Sequence, residues 1–237
     1  MQNQDIREWL HLTTSELDAL DRKLPVILPF GSIEAHGHHL PVGTDVFICE
    51  KIAREACAQT GAILLPGVPF TFLSGSTKNY VGGIDMPAEH CIAMLKPIVA
   101  SVHRNGFKNI IIFNGHGANR FLLEIVVRTL LDDHEKTGLK LQYRSWWDDI
   151  CRVHHACEVE TSVLIAIQGE TVLRKDKIKD NINHYKGWRM NDWAKEMPLT
   201  GGVNGSPSKY NVEEGKKIYR ASVDNLIALI KDARENW

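Results

Sequence analysis

Residues 109–136 read NIIIFNGHGANRFLLEIVVRTLLDDHEK, and this stretch decides the fold class. Its first part, Asn109 to Phe113, is an unbroken apolar run that stops at Asn114–Gly115. A run without polar alternation is the pattern of a parallel strand covered on both faces. From Asn119 to Lys136 the spacing changes to that of a helix, with Leu122, Leu123, Val126, Val127, Leu130 and Leu131 on one side and Gly138 beyond the end. Between strand and helix stand His116 and two glycines, Gly115 and Gly117.

The same strand-then-helix unit recurs on either side. Leu24 to Phe30 ends at Gly31, Ala62 to Leu65 ends at Pro66–Gly67, and Leu139 to Tyr143 ends before Trp146–Trp147. All are read as unbroken runs. Helical spacing is predicted over Asp45 to Gln59, Pro87 to Arg104, Glu158 to Gln168 and Glu213 to Asn236, with Gly106 as a C-cap of the second. Strands alternating with helices imply an α/β fold, a mostly parallel sheet flanked by helices with right-handed crossovers. No repeat or linker interrupts the pattern, and Leu199 to Asn211, rich in Gly, Ser, Asn and Pro, reads as a loop. Residues 1–237 are therefore expected to form one domain.

Composition excludes several classes of function. A net charge of -1 provides no basic field for nucleic acid or anionic lipid. No run of about 18 apolar residues is present, so no membrane partner is expected. The polar start, Met1 to Glu8, lacks the build of a signal peptide, which predicts a cytoplasmic location. Five cysteines, odd in number and without CxxC spacing, read as free thiols.

Ligands bind an open α/β sheet beyond the carboxyl ends of its strands. The first run feeds directly into GSIEAHGHHLPVGTD, residues 31–45, and the run at 109 feeds into His116. Glu34 and His36 are two residues apart and would leave an extended segment on the same side. Asp45 opens a helix, where an aspartate serves equally as an N-cap. Carboxylate and imidazole together suit zinc, manganese or iron, and a bridging carboxylate such as Asp45 favours two ions. A third segment, HHACEVETS at residues 154–162, offers His155 as an acid–base group and Glu160 as a further ligand. Glu158 and Glu160 equally suit the positive end of an ordinary helix. His38 and His39 adjoin the set without needing to ligate. Cys157 has no neighbour that would activate it. Of Trp146 and Trp147, one is expected to wall the pocket or sit in the core.

At these residues the chain resembles the creatininase (creatinine amidohydrolase) family. The resemblance lies in Pro29 to Glu34 with His36–Gly37, His39 to Pro41 and Gly43 to Asp45; in Asn114 to Gly117 with Asn119; and in His155–Ala156 with Glu160 to Ser162. It implies a creatininase-like fold, two divalent metal ions per chain, a small-molecule substrate and homo-oligomers, frequently hexamers. By position, Glu34 and His36 correspond to ligands of different metals, Asp45 to the bridge, His116 to a ligand completing one set, and His155 to the acid–base histidine. Trp147 falls near a substrate-contacting tryptophan. The last carboxylate differs within the family: creatininase carries a glutamate where this chain has Ala118, and other members use the one that is Glu160 here, with Glu158 beside it.

Departures from the pattern concern the substrate. Gly117 replaces a tyrosine, Cys157 replaces a glycine, and STKNYVGG, residues 76–83, replaces the usual substrate loop. Lys78 and Asn79 in that loop are candidate polar contacts. Creatinine is therefore not the expected substrate. The resemblance implies hydrolysis of an amide C–N bond in another small cyclic or polar compound. The family also contains hydrolases that open oxidised inositols such as 3-dehydro-scyllo-inosose, which makes C–C cleavage the alternative. A non-catalytic scaffold that has kept the fold is the third reading.

Overall fold

The computed structural model describes residues 6–73, 77–182 and 200–237. Ser76 and Leu199, at the ends of two loops named above, lie outside the described residues, as does the segment Met1 to Asp5. Among the described residues the strands are β1 (Arg7–Glu8), β2 (Val26–Phe30), β3 (Ile63–Leu64), β4 (Asn109–Asn114) and β5 (Lys140–Ser145). The helices are α1 (Thr14–Asp18), α2 (Thr44–Thr60), α3 (Ala88–Arg104), α4 (Asn119–Asp133), α5 (Glu158–Gln168) and α6 (Val212–Asn236). The five strands form one sheet in the order β1-β3-β2-β4-β5, and every pairing is parallel.

Helices cover both faces of this sheet. Val26, Leu28, Phe30, Ile110 and Ile112 pack with Leu95 and Val99 of α3 and Leu123 and Val126 of α4. The alternate residues Ile27, Ile111 and Phe113 pack with Ile48 and Ile52 of α2, Val163 and Leu164 of α5 and Leu226 and Ile230 of α6. Side chains leave a strand alternately to either side, so burial on both sides requires the unbroken apolar runs seen in β2 and β4. Strand β5 departs from that expectation. It lies at the sheet edge and alternates, with Lys140 and Gln142 exposed and Leu141 buried. Only one of its faces is covered.

Three boundaries or elements differ from the sequence reading. Helix α4 stops at Asp133 rather than Lys136, which fits the unfavourable approach of Asp132 and Asp133 to the negative end of the helix dipole. Strand β1 and helix α1 are too short to give a periodic signal. Thr13 and Glu16 form the capping box that starts α1. Among the described residues no helix is long and apolar enough to cross a membrane.

Strand register places the site. Phe30 pairs with Asn114, and Asn114 pairs with Ser145, so β2, β4 and β5 end side by side. The loops that follow them carry the candidate residues.

Candidate metal centre

The loop after β2 is held against the neighbouring strand end, where the Gly115 N–H donates to the Phe30 carbonyl at 2.9 Å. A side chain at Gly115 would place its Cβ 2.5 Å from the Asp45 carbonyl oxygen, so only glycine allows α2 this close. Asp45 does not cap α2. It lies in the first helical turn behind Gly43, which offers no side-chain cap, and its carboxylate turns into the site. Ser32 Oγ donates to Asp45 Oδ2 at 2.6 Å and fixes its orientation. Asn114 holds the other loop: its Oδ1 accepts from the His116 N–H, and its Nδ2 donates to the His116 carbonyl and to Ser145 Oγ.

These contacts bring Glu34, His36, Asp45, His116 and Glu160 together, all buried. His116 Nδ1 lies 2.8 Å from Glu34 Oε1 and 3.1 Å from Asp45 Oδ2. His36 Nε2 lies 3.1 Å from Asp45 Oδ1 and 3.9 Å from Glu160 Oε1. Two trios that could each hold a cation follow, Glu34–Asp45–His116 and His36–Asp45–Glu160, with one oxygen of Asp45 facing each. Glu34 and His36 thus fall in different trios. A third grouping, Glu34–His36–His155, overlaps both.

Chemistry at this cluster can be tested on its lone pairs. His36 Nδ1 donates to the Glu34 carbonyl at 3.2 Å, which leaves the neutral ring's Nε2 lone pair pointing at the acids. Both Glu34 oxygens and His36 Nε2 are buried without an aligned hydrogen-bond partner, short as the ion-pair distances are. Buried polar atoms without partners are costly. Converging unpaired acceptors from carboxylates and imidazole are what a divalent cation would satisfy, so the residues fit one.

Charge within the cluster is shared between acids and histidines. Burial pushes the Glu34 and Asp45 carboxyls up, but the adjoining imidazolium groups outweigh it and hold both below their ordinary values, Asp45 well below. Burial likewise disfavours charge on His116. The Glu34 charge and the hydrogen bond His116 donates to Asp45 overcome this and raise it to about 10. His36 is raised well above its ordinary value by Asp45 against the same burial.

His155 sits at the edge of the cluster. Its Nε2 must donate to the Ala35 carbonyl, 2.7 Å away, which leaves Nδ1 facing Glu34 Oε1 at 3.5 Å. Ala156 next to it adopts φ 49°, a left-handed conformation uncommon outside glycine, and this kink turns the chain from His155 into α5. Glu160 accepts the Cys157 N–H at 3.3 Å with one oxygen and faces His36 with the other. Glu158 points elsewhere, accepting the Ser206 N–H at 2.8 Å. Cys157 is buried and its thiol is pushed up to about 12 by burial, so it stays protonated. His38 is exposed, while buried His39 contacts Thr161 Oγ1 at 3.1 Å instead of joining the acids.

A cavity of about 290 Å³ opens over Glu34, His116, His155 and Glu160. Trp147 lines it, whereas Trp146 is buried in the core beneath. Lys78 and Asn79 are exposed, and it is Thr77 of that segment that reaches the wall. Sequence reasoning missed Phe121, Val153, His154 and Asn204 as wall residues. Phe121 was hidden because it occupies the first turn of an otherwise ordinary amphipathic helix. Asn204 belongs to the glycine-rich loop, and its N–H donates to the His155 carbonyl at 2.8 Å.

Comparison with known proteins agrees with this architecture. The chain is 28% identical over 236 residues to a mycofactocin precursor peptide peptidase of Mycobacterium ulcerans, covering 92% of this chain and 90% of the relative. It is 22% identical over 245 residues to the 3-dehydro-scyllo-inosose hydrolase of Thermotoga maritima, covering 90% and 78%. Among solved structures, a creatininase variant in a Zn-Zn form superposes with a TM-score of 0.82 at 19% identity, covering 96% of this chain and 98% of that one. The profile of the Creatininase family, described as creatinine amidohydrolase, matches residues 10–230. With the motifs, the parallel sheet and that match in agreement over nearly the whole length, this chain belongs to the creatininase family of hydrolases.

Proposed function

We propose that the chain is a binuclear metal-dependent hydrolase that cleaves a C–N amide bond in a small cyclic or polar substrate other than creatinine. The observation that carries this reading is the pair of acid–imidazole trios sharing Asp45, with buried lone pairs left unpaired. Glu34, Asp45 and His116 would hold one ion, and His36, Asp45 and Glu160 the other. Zinc or manganese suits these donors, with iron also possible chemically. Two such ions supply an acidified water and polarise a substrate carbonyl.

The chain's own residues do the remaining work. His155, fixed through Nε2 to Ala35, presents Nδ1 to the cavity and is placed to carry a proton to the leaving nitrogen. Trp147 walls the substrate side. Gly117 and Ala118 leave open the place where creatininase itself carries two larger side chains, which supports a substrate other than creatinine. The similarity to a peptidase favours C–N cleavage, and that to the inosose hydrolase keeps C–C ring opening as the second reading.

Metal content per chain, measured on protein purified without chelator, tests the proposal. Close to two equivalents in wild type and a clear drop in Glu160→Gln are expected. The His155→Ala variant should keep its metal and lose at least a hundredfold in kcat. Near-zero metal, not restored by zinc or manganese, would overturn the hydrolase mechanism and favour a scaffold. Release of ammonia, an amine or formate identifies amide cleavage, whereas a carboxylic acid alone identifies ring opening.

A further inference from the structure

Glycines around the site differ in why they are glycine. A Cβ at Gly31 would meet Val46 Cα at 2.8 Å, one at Gly37 would meet His39 Nδ1 at 2.5 Å, and one at Gly205 would meet Cys157 Cβ at 2.5 Å. These positions, like Gly115, are fixed by packing. Gly117 is not: its backbone lies outside the left-handed region, and among the described residues no heavy atom beyond its own chain neighbours lies within 4 Å of a Cβ there. Neither backbone conformation nor crowding demands a glycine at position 117. Yet this bare position lines the cavity directly above the candidate metal centre.

Besides Glu34, His116, His155 and Glu160, the lining of this cavity includes apolar side chains. Ala118 adjoins it, Phe121 stands one helical turn further along and is 81% exposed, and Trp147 and Val153 contribute further wall. An aromatic ring so exposed at a cavity mouth gains by being covered by an apolar partner. Volume permits one: an apolar cavity of about 150 Å³ already takes up benzene, and the whole cavity here, its polar part included, measures about 290 Å³.

We propose that the space over Gly117, bounded by Ala118, Phe121, Trp147 and Val153, is a subsite for a flat apolar group of the substrate, and that residue 117 sets how large that group can be. This rests on the hydrolase reading above and narrows it: the amide substrate carries an aryl or similarly flat substituent close to its carbonyl. Gly117 acts by leaving volume, Phe121 by covering one face of the substituent.

Binding of hydroxamic acids to zinc-loaded protein, followed by calorimetry, reads the subsite without turnover. Wild type is expected to bind benzohydroxamic acid at least tenfold more tightly than acetohydroxamic acid. Gly117→Leu should reduce that preference below twofold while holding acetohydroxamic acid within threefold of wild type, and Gly117→Ala should fall between. No aryl preference in wild type, or one kept intact in Gly117→Leu, would overturn the proposal. Should Gly117→Leu fail to fold, Phe121→Ala decides: its exposed side chain is dispensable for folding, and the preference must fall at least threefold. Benzamide titrated into metal-stripped protein and followed by ligand-observed NMR separates the two readings. Binding that Gly117→Leu abolishes supports the subsite even if the chain holds no metal; no binding overturns it whatever the metal content.

Discussion

Metal uptake by this cluster should displace protons, and the number follows from the geometry. In the metal-free protein His116 faces Glu34 Oε1 at 2.8 Å and Asp45 Oδ2 at 3.1 Å and keeps its proton up to about pH 10. At pH 7 a cation taking that nitrogen must expel the proton three pH units below its pKa. At about 1.4 kcal/mol per unit this costs about 4 kcal/mol, or about a thousandfold in affinity. Affinity should therefore climb about tenfold per pH unit between pH 7 and 9 if His116 alone releases a proton. His36, raised well above its ordinary value by Asp45 at 3.1 Å, steepens this dependence. Stability of the metal-free fold moves the other way. A histidine whose folded pKa lies above its unfolded value of 6.5 contributes fully below pH 6.5, and that contribution is lost as pH rises through about 10. The assay is competition for manganese against a chelating fluorophore at pH 7, 8 and 9, on protein stripped with EDTA. Calorimetry in buffers of different ionisation enthalpy counts the protons released. An affinity changing less than threefold per pH unit, with no proton release, would refute this picture of the cluster.

Two further outcomes follow from named contacts. Gly115→Ala forces a Cβ to within 2.5 Å of the Asp45 carbonyl; the variant should lose about 2 kcal/mol of stability in urea unfolding and retain less than half the wild-type metal, and unchanged values for both would contradict the close-approach argument. His39, buried, is lowered to about 4 chiefly by desolvation, with the nearby His36 charge adding to it. The unfolded chain takes up this proton at 6.5 and the folded one only near 4, so stability is lost as pH falls across that window, by about 3 kcal/mol. His39→Gln cannot bind the proton and should show a correspondingly shallower fall in urea-unfolding stability from pH 7 to 4.5; equal slopes would count against it.

Legibility in the sequence followed the strength of the physical constraint. Strands β2 and β4 were readable because burial on both faces keeps their runs apolar, and the range expected for α5 coincides with the helix, which Gly169 ends. Edge strand β5 lacked that double constraint and was misread as unbroken. Strand β1 is two residues long, and what holds it is long-range: Arg7 reaches the Gly61 carbonyl at 2.6 Å, and Glu8 pairs with Arg54. Neither partner can be guessed from local pattern. At the candidate site, Glu34 and His36 were picked out by their spacing in the loop after β2, Asp45 by its place at the start of a helix, and His116 by its glycine neighbours after a buried strand. Asp45 as an N-cap was the local reading that the fold overrode, since Ser32 and two histidines claim its oxygens. Lys78 and Asn79 were chosen for polarity alone, which says nothing of direction, and the wall residue proved to be Thr77.

Spread along the chain, the cluster draws on residues 34–45, then 116, then 155–160. A growing polypeptide thus exposes Glu34, His36 and Asp45 long before His116 exists; the trio of Glu34, Asp45 and His116 gains its last member there, whereas the trio of His36, Asp45 and Glu160 waits for Glu160 and its helix. Strand β4 must already lie beside β2, which precedes it by more than 80 residues, for Asp45 and His116 to meet. Assembly of both trios is thereby deferred until α5 has joined β2 and β4. A second ion, where both trios are filled, would then come from around the folded protein and not from around the ribosome.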